Sequence, residues 1–258
     1  MKNTNHTRYL LVYLLLLADV ILIISAISIS MWRGEDILTA FDEGHYMTYL
    51  SVLKILIVSA LFFILYVIKR RNKSFIDIRS LDLIWLIMGI AFIYLALDEL
   101  FMVHEVLDSY IHSTFKLNET GLTDRLDDFI LIAYAVFGMI ILYLYRSEIL
   151  KHRKALPLLI LAFITIFVGE FFDLLTNRND IAIALLSQQT TIESEKISGI
   201  PYMKCTFVAN SNNVNKFCEI SGTLEESCEM ITSTFLICFA YYCLIETKKQ
   251  ERSKKALT

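Results

Sequence analysis

Long apolar runs separated by short charged segments dominate the pattern of hydrophobic and polar positions along this chain. Six runs approach or exceed the roughly 20 apolar residues that a membrane-spanning helix requires. They cover approximately residues 9–31, 47–68, 81–103, 128–145, 155–176 and 225–245. The pattern predicts an all-α fold in which residues 1–258 form a single six-helix transmembrane domain, with residues 177–222 as an extracytoplasmic loop insertion.

The composition is typical of a membrane protein. Hydrophobic residues make up 56% of the 258 residues, and only two residues are proline, whereas an ordinary soluble domain is about 45–50% apolar. The first run is longer than the roughly 7–15 residues of a signal-peptide core, and no small-x-small cleavage site follows it. We therefore expect a retained helix.

Positive charges predict the orientation of the chain. Sixteen of the 24 Lys and Arg residues fall at alternate ends of successive runs, in residues 2–8, 69–79, 146–154 and 248–255. Because Lys and Arg are enriched in cytoplasmic loops, we expect both termini to be cytoplasmic in a bacterial inner (plasma) membrane. Topology and contacts with the lipid bilayer explain these clusters, so no nucleic-acid partner is expected.

The third run ends in an unusual cluster of ionisable residues. They are Asp98, Glu99, His104, Glu105 and Asp108. An ionised group in hydrocarbon costs about 2.5–3.5 kcal/mol on insertion scales, so such a cluster requires partners, water or a metal. On a continuous helix, Asp98, Glu105 and Asp108 are predicted to share one stripe.

Carboxylates three residues apart recur in four segments, and this spacing places both on one helix face. The pairs are Glu105 with Asp108, Asp124 with Asp127, Glu170 with Asp173, and Glu226 with Glu229. At about 1.5 Å per helical residue, acids of four helices are predicted to fall in one layer in the outer third of the membrane. Thr223 and Glu226 also match a capping box, which predicts that the last helix begins there.

Such a layer needs countercharge, because neighbouring carboxylates raise one another's pKa. A divalent metal, Zn, Mn or Fe, is the simplest source for a set of carboxylates with a histidine. The predicted ligands are Asp98, His104, Glu105, Asp128, Glu170, Asp173, Glu226 and Glu229, with His104 and Glu105 as catalytic groups. Two alternatives stay open: His104 only lies in the headgroup region, or the acids form a solvated vestibule or a proton-sharing network.

Two further ionisable residues lie inside apolar runs. Asp19 is near the predicted bilayer centre, where it either makes an interhelical hydrogen bond or takes part in a proton or ion relay. Lys54 either extends to the outer surface or is the counter-ion of the acidic layer.

A β-hairpin is predicted in the loop insertion. Residues 202–208 and 215–220 flank a polar turn at Ser211 and Asn212, and pairing about this turn places Cys205 opposite Cys218. We therefore expect a disulfide between them, consistent with an oxidising exterior.

The motifs of the third and last runs resemble a group of uncharacterised bacterial multi-pass membrane proteins. The resemblance lies in the pairs Asp98-Glu99 and His104-Glu105 and in Glu225-Glu226-x-x-Glu229-Met230. It implies that these residues are used together, and it implies no chemistry.

These observations predict a metal-dependent enzyme acting on a lipid or lipid-linked substrate, either a hydrolase or a dimetal oxidoreductase. A divalent-cation or proton-coupled transporter or channel is one alternative, and a membrane sensor or assembly subunit is another. Asp19 discriminates between the first two, because a pathway for ions needs it hydrated and an enzyme does not.

The charge distribution gives a prediction about topology. Reporter fusions after Asn72 and after Lys151 should read cytoplasmic, and fusions near Asn118 and Ser211 should read external, because basic segments stay on the cytoplasmic side. An external signal at Asn72 would contradict six spans with cytoplasmic termini.

Overall fold

The computed structural model describes residues 4–41, 44–71, 77, 80–116, 126–176 and 212–255. Within these ranges every regular element is helical, which confirms the all-α prediction. The helices are α1 Thr4–Arg33, α2 Tyr46–Arg70, α3 Leu83–Phe101, α4 Val103–Phe115, α5 Leu126–Leu144, α6 Arg146–Ile149, α7 Leu156–Thr176 and α8 Asn212–Lys255. Short 3-10 turns lie at Ile37–Ala40 and Leu150–His152.

A helix is present at each of the six predicted apolar runs, and several are candidate membrane spans. Four are long and apolar enough by themselves: α1 over Leu10–Arg33, α2, α3, and α8 over Glu219–Ser253. α5 qualifies only together with the segment that follows it, and α7 contributes a shorter apolar stretch, Leu156–Phe172. The described helices therefore provide four or five candidate spans.

α5 ends at Leu144, before a sharp bend. Phe129–Leu144 and the next segment, Arg146–His152, are bent by 68° relative to each other. Four of the seven residues of Arg146–His152 are ionisable, so hydrocarbon is an unfavourable environment for it. We call Arg146–His152 the elbow and regard it as a surface segment.

The chain forms two compact units. The first contains Met1–Met47 and Leu161–Thr234, and the second contains Thr48–Ile160 and Phe235–Thr258. Hydroxyl groups join helices inside the first unit. Thr234 donates a hydrogen bond of 2.6 Å to Asp19 on α1, and Thr165 on α7 bonds to Thr232 on α8 at 2.8 Å.

Aromatic rings fill the core of the second unit. Phe62 of α2 lies 5.8 Å from Trp85 and 5.6 Å from Phe92 of α3, and 6.3 Å from Phe239 of α8, measured between ring centroids. Each such pair adds about 0.5–1.5 kcal/mol beyond the burial of its apolar area. The cluster therefore holds α2, α3 and the second half of α8 together.

The third predicted run, residues 81–103, forms one helix, α3, but this helix does not continue through residues 104–112 as predicted. Met102 separates α3 from α4 with φ 51° and ψ 46°, a left-handed conformation that is uncommon for a residue with a side chain. Because the helical register is lost there, the prediction that Asp98, Glu105 and Asp108 share one stripe is wrong.

α8 begins at Asn212, which corrects two expectations. Thr223 is inside the helix, where its hydroxyl bonds to the carbonyl of Glu219 at 2.8 Å, so it is not an N-cap. Residues 215–220 are helical and cannot be the second strand of a hairpin. Cys205 lies outside the described residues, and so does the side chain of Cys218, so their disulfide stays a prediction.

Tertiary contacts explain the early start of α8. The backbone N–H of Ile37 donates to the carboxylate of Glu219. A Cβ at Gly222 would lie 2.9 Å from a methyl group of Leu38, so the helix approaches the segment after α1 closely. Residues 212–222 of the predicted loop insertion therefore belong to α8.

The hydroxyl of Thr234 is expected to stabilise the first unit. Thr234→Val keeps the shape but leaves the buried Asp19, whose exposed fraction is 3%, without this donor, at a cost of about 1–3 kcal/mol. Thr247→Val is the matched control, because the Thr247 hydroxyl is buried without a hydrogen-bond partner among the described residues. Thermal unfolding in detergent should show a lower Tm for the first variant and an equal or higher Tm for the second. Equal Tm values for Thr234→Val and the wild type would contradict the assignment.

Candidate functional site

The break between α3 and α4 brings Asp98 and His104 into contact. Asp98 lies in the last turn of α3 and is 5% exposed. Its Oδ1 accepts the backbone N–H of His104 at 2.9 Å, and its Oδ2 lies 3.1 Å from His104 Nδ1. His104 is the second residue of α4, where backbone N–H groups have no partner within the helix. One carboxylate therefore caps α4 and orients the imidazole ring.

This geometry suits acid–base or metal chemistry. A carboxylate on one imidazole nitrogen fixes the tautomer and raises the basicity of the other nitrogen. His104 Nε2 is then the atom through which the ring would act on a substrate, a water molecule or a metal. The ring is partly accessible, since 21% of the His104 side chain is exposed.

Two tyrosines link α3 to α5 beside this pair. Tyr94, one turn before Asp98, bonds through its hydroxyl to the hydroxyl of Tyr134, and the two rings meet edge to face at 5.4 Å. Nearer the start of α3, the Trp85 indole donates to Glu148 in the elbow. The later residue of α3, Tyr94, contacts the earlier residue of the α5–elbow segment, Tyr134, and the earlier residue, Trp85, contacts the later one, Glu148. α3 and α5 are therefore antiparallel. Residue 128 of α5 therefore lies near the level of the end of α3.

Exposed apolar side chains occur in the last turns of α3 and the first turns of α5. Leu97, Leu100 and Phe101 of α3 and Phe129 and Ile132 of α5 are all exposed large hydrophobic residues. In a membrane protein such a surface contacts acyl chains. Groups that reach His104 along this surface would come from the lipid phase.

The predicted metal ligands divide between the two units. His104, Asp98 and the half-buried Glu105 belong to the second unit, and Glu226 and Glu229 on α8 and the exposed Glu170 on α7 belong to the first. Asp128 and Asp173 are on helices, but their side chains lie outside the described part of the chain. Among the described residues no group of three or more His, Cys, Asp and Glu is arranged to hold a metal ion. The metal site and the common acidic layer stay predictions.

Gly169 allows α7 and α8 to approach closely within the first unit. A Cβ at this position would lie 3.2 Å from the Cβ of Cys228 and 3.5 Å from the carbonyl oxygen of Glu225. Small residues are frequent where membrane helices pack backbone to backbone. This contact packs the turn of α7 that contains Gly169 against the segment of α8 that contains Glu225 and Cys228.

The two ionisable residues predicted inside apolar runs have different surroundings. Asp19 is buried and accepts the hydrogen bond from Thr234, which is the geometry that the hydrogen-bond interpretation requires. Lys54 is half-buried on α2. Its assignment as counter-ion of the acidic layer stays a prediction.

A second polar cluster, which we call the basic-end cluster, was not predicted from the sequence. Its members are Lys69, Trp85, Glu148, Lys151, His152 and Glu246. Glu148 in the elbow is 0% exposed, and its carboxylate binds the ammonium groups of both Lys69 and Lys151. Trp85 donates to the same carboxylate at 3.4 Å. A sequence signal existed, since Glu148 is a single acid inside a strongly basic segment.

His152 extends the basic-end cluster to α8. Its ring is 0% exposed, with Nδ1 3.3 Å from a Glu246 oxygen and its edge against the Trp85 ring at 5.5 Å. Its Nε2 is buried without a hydrogen-bond partner among the described residues. Burial and the Lys69 ammonium lower the pKa of His152, opposed by Glu246 and Glu148. The uncharged imidazole therefore joins the elbow to α3 and α8.

The charge of Glu148 is set by its two lysines. Burial alone would raise the pKa of its carboxyl group, but hydrogen bonds and positive charge from Lys151 and Lys69 outweigh burial and lower the pKa from 4.5 to about 2. Because the pKa is lower in the folded state, the charge stabilises the fold above pH 4.5, and this stabilisation is lost as the pH falls toward 2.

Removing the charge of Glu148 should destabilise the protein strongly at neutral pH. Glu148→Gln leaves Lys69 without its buried countercharge, a loss of about 3–5 kcal/mol. Glu251→Gln, near the end of α8 in the same unit, should stay within about 0.5 kcal/mol of the wild type. Unfolding by denaturant in detergent measures both. The difference between Glu148→Gln and the wild type should shrink below pH 4.5, and a difference independent of pH would contradict the assigned ion pairs.

Comparisons with known proteins add one finding. A family model described as "Domain of unknown function (DUF8692)" matches residues 9–244. This range contains Asp98, His104 and all members of the basic-end cluster except Glu246. None of the curated proteins and none of the solved structures compared with the chain matches it.

Proposed function

Since the chain belongs to the DUF8692 family, whose description names no activity, we propose a function from its own geometry. It is a six-span membrane protein whose Asp98 and His104 form the acid–base pair of a metal-dependent enzyme. The enzyme acts on a lipid or lipid-linked substrate, and hydrolysis is the favoured reaction.

The helix directions in the second unit support the proposed spans. The basic-end cluster joins the C-terminal end of α2, the start of α3, the elbow after α5 and the C-terminal part of α8. α2, α5 and α8 therefore run toward this end, and α3 runs away from it. With lysines concentrated here, the positive-inside rule favours a cytoplasmic location for this end of the second unit. We keep both termini on the cytoplasmic side of a bacterial inner membrane as part of the proposal.

The proposal rests on one observation, that both carboxylate oxygens of Asp98 contact His104. Capping of α4 needs only the oxygen that accepts the His104 N–H. The second oxygen lies on Nδ1, where it would stabilise the imidazolium formed when Nε2 takes a proton from water or from a substrate hydroxyl. A positioned acid–base group of this kind contributes about 10²–10⁴-fold to a rate.

The residues near this pair fit a divalent metal by their chemistry. His104 and Glu105 are adjacent at the start of α4, and the backbone of Asp128 lies near the same level on α5. Carboxylates can bind Zn, Mn or Fe, and Nε2 of His104 would then act on the water bound to the metal. A metal bound there would lower the pKa of its water ligand and supply a nucleophile at neutral pH. Glu170, Asp173, Glu226 and Glu229 are proposed as further ligands or as a separate acidic group.

The lipid substrate follows from the exposed apolar side chains in the last turns of α3 and the first turns of α5. A soluble substrate would meet the exposed side chains of Leu97, Leu100 and Phe101, whereas an acyl chain is compatible with them. The cation-transport alternative is less well supported, because Asp19 is buried and hydrogen-bonded to Thr234.

His104 and His112 provide a matched test of the proposed centre. Both lie on α4, and each places Nδ1 on an aspartate, Asp98 at 3.1 Å and Asp108 at 2.9 Å. Protein purified without chelators should contain about one equivalent of metal, and both His104→Gln and His112→Gln should keep it, because Nε2 of His104 takes the proton and carboxylates bind the metal. Release of fatty acid or phosphate from a bacterial lipid extract should fall at least about a hundredfold in His104→Gln, because the acid–base group is lost. His112→Gln should hydrolyse the lipid like the wild type.

Elemental analysis also defines the contrary result. Wild-type protein with less than about a tenth of an equivalent of any transition metal, and without a rise in Tm on adding Zn, Mn or Fe, would contradict the metal. Equal lipid hydrolysis by His104→Gln and His112→Gln would contradict the acid–base role.

A further inference from the structure

A pocket in the first unit, lined by apolar and polar residues, lies apart in sequence from Asp98 and His104. Its volume is about 240 Å³. The end of α1, the 3-10 turn and the start of α2 line it, and its polar side chains are Ser30, Arg33, Glu35, Thr39, His45 and Tyr46. The proposed enzyme function uses none of these residues.

Two glycines with positive φ turn the chain next to residues that line the pocket. Gly34 has φ +72° and reverses the chain after α1, where the N–H groups of Gly34 and Glu35 bond to carbonyls of Met31 and Ser30 at 3.2 and 3.0 Å. Gly44 has φ +78° and leads into α2. The pocket therefore lies between the C-terminal end of one helix and the N-terminal end of another.

The pocket carries charges of both signs. Arg33 Nη1 and Glu35 Oε2 are 4.0 Å apart, and 58% and 45% of their side chains are exposed. Such a loose, exposed pair is worth little by itself, so each group can bind an opposite charge on a ligand. The dipole of α2 adds positive potential beside His45 and Tyr46, and the dipole of α1 adds negative potential at its end.

The pocket lies where lipid headgroups are expected. It is at the end of the α1 candidate span and at the start of the α2 candidate span. Trp32, next to the lining residue Arg33, is 86% exposed, and Tyr46 is part of the lining. Trp and Tyr are enriched at the level of the headgroups in membrane proteins.

We propose that this pocket binds a phosphate ester carrying a primary ammonium group, as in an ethanolamine-type headgroup. The phosphate lies on Arg33 and the start of α2, and the ammonium lies on Glu35. A primary ammonium is favoured because Glu35, Ser30 and Thr39 offer oxygen acceptors for its N–H groups. A quaternary ammonium cannot donate hydrogen bonds and is bound by several aromatic rings, whereas the pocket has one, Tyr46.

Tryptophan fluorescence can measure this binding in the full chain. The sequence has two tryptophans, and Trp85 is 1% exposed, so a soluble quencher reaches Trp32. Purified protein in detergent is titrated with short-chain phosphatidylethanolamine, phosphatidylcholine or phosphatidylglycerol, and with free phosphoethanolamine. Phosphatidylethanolamine should protect Trp32 from acrylamide saturably, and phosphatidylcholine should need at least about tenfold higher concentration, since hydrogen bonds to charged groups are lost.

Variants identify the pocket as the site of binding. Arg33→Gln and Glu35→Gln should each weaken protection by phosphatidylethanolamine about tenfold, and both side chains are exposed enough for the fold to tolerate the change. Arg146→Gln is the control, because Arg146 is an exposed cation of the elbow over the Tyr143 ring. Its affinity should equal that of the wild type.

The competing ligands decide between the possible outcomes. Equal protection by phosphatidylethanolamine and phosphatidylcholine would overturn the proposal, and so would stronger protection by phosphatidylglycerol, which marks a simple anion site. Protection by free phosphoethanolamine at the same concentration, with the same loss in both variants, would support the headgroup chemistry and assign it to a soluble ligand. This experiment measures lipid binding at the pocket and neither metal content nor lipid hydrolysis. Its failure would therefore leave the proposed enzyme function unaffected.

Discussion

A buried polar group inside these apolar helices is costly without a partner, and this constraint largely determines where the helices meet. An unpaired polar group away from water costs several kcal/mol in hydrocarbon. Thr234 supplies a hydrogen bond to Asp19, and two lysines neutralise Glu148. The Thr234–Asp19 and Lys69–Glu148 contacts join segments that are distant in sequence, so the buried polar groups select one packing among many that would bury the same apolar area.

The six apolar runs predicted the helices well, because helix formation in such runs depends on local length and hydrophobicity. The boundaries that failed depend on distant contacts. α8 extends back to Asn212 because Glu219 and Gly222 contact the segment after α1, and the sequence near Asn212 shows no apolar periodicity. The hairpin prediction assigned part of the same segment, residues 215–220, to a β-strand, whereas these residues are helical.

The chemistry-bearing residues were easier to predict than their partners. Asp98 and His104 attracted attention because charges are rare in apolar runs, yet the stripe assigned to Asp98 ignored the break at Met102. Glu148 was overlooked because the surrounding basic residues have an ordinary explanation as topology signals. Burial distinguishes the two cases, since Glu148 is fully buried whereas Lys151 beside it is 56% exposed in its side chain, and burial of one acid in a basic segment is decided by tertiary structure.

The break at Met102 is what creates the proposed acid–base pair. On a continuous helix two residues six positions apart are rotated by roughly 240° about the axis, so Asp98 and His104 would point away from each other. The left-handed turn at Met102 redirects the chain so that the N-terminal end of α4 faces the last turn of α3. The strained residue and the buried carboxylate therefore depend on each other: Asp98 compensates the free N–H that the break exposes, and the break supplies Asp98 with the imidazole. Strain of this kind tends to occur at functional sites. This is the physical reason for locating the chemistry here rather than in the basic-end cluster, whose ion pairs lie within the elbow or join it to regular helices.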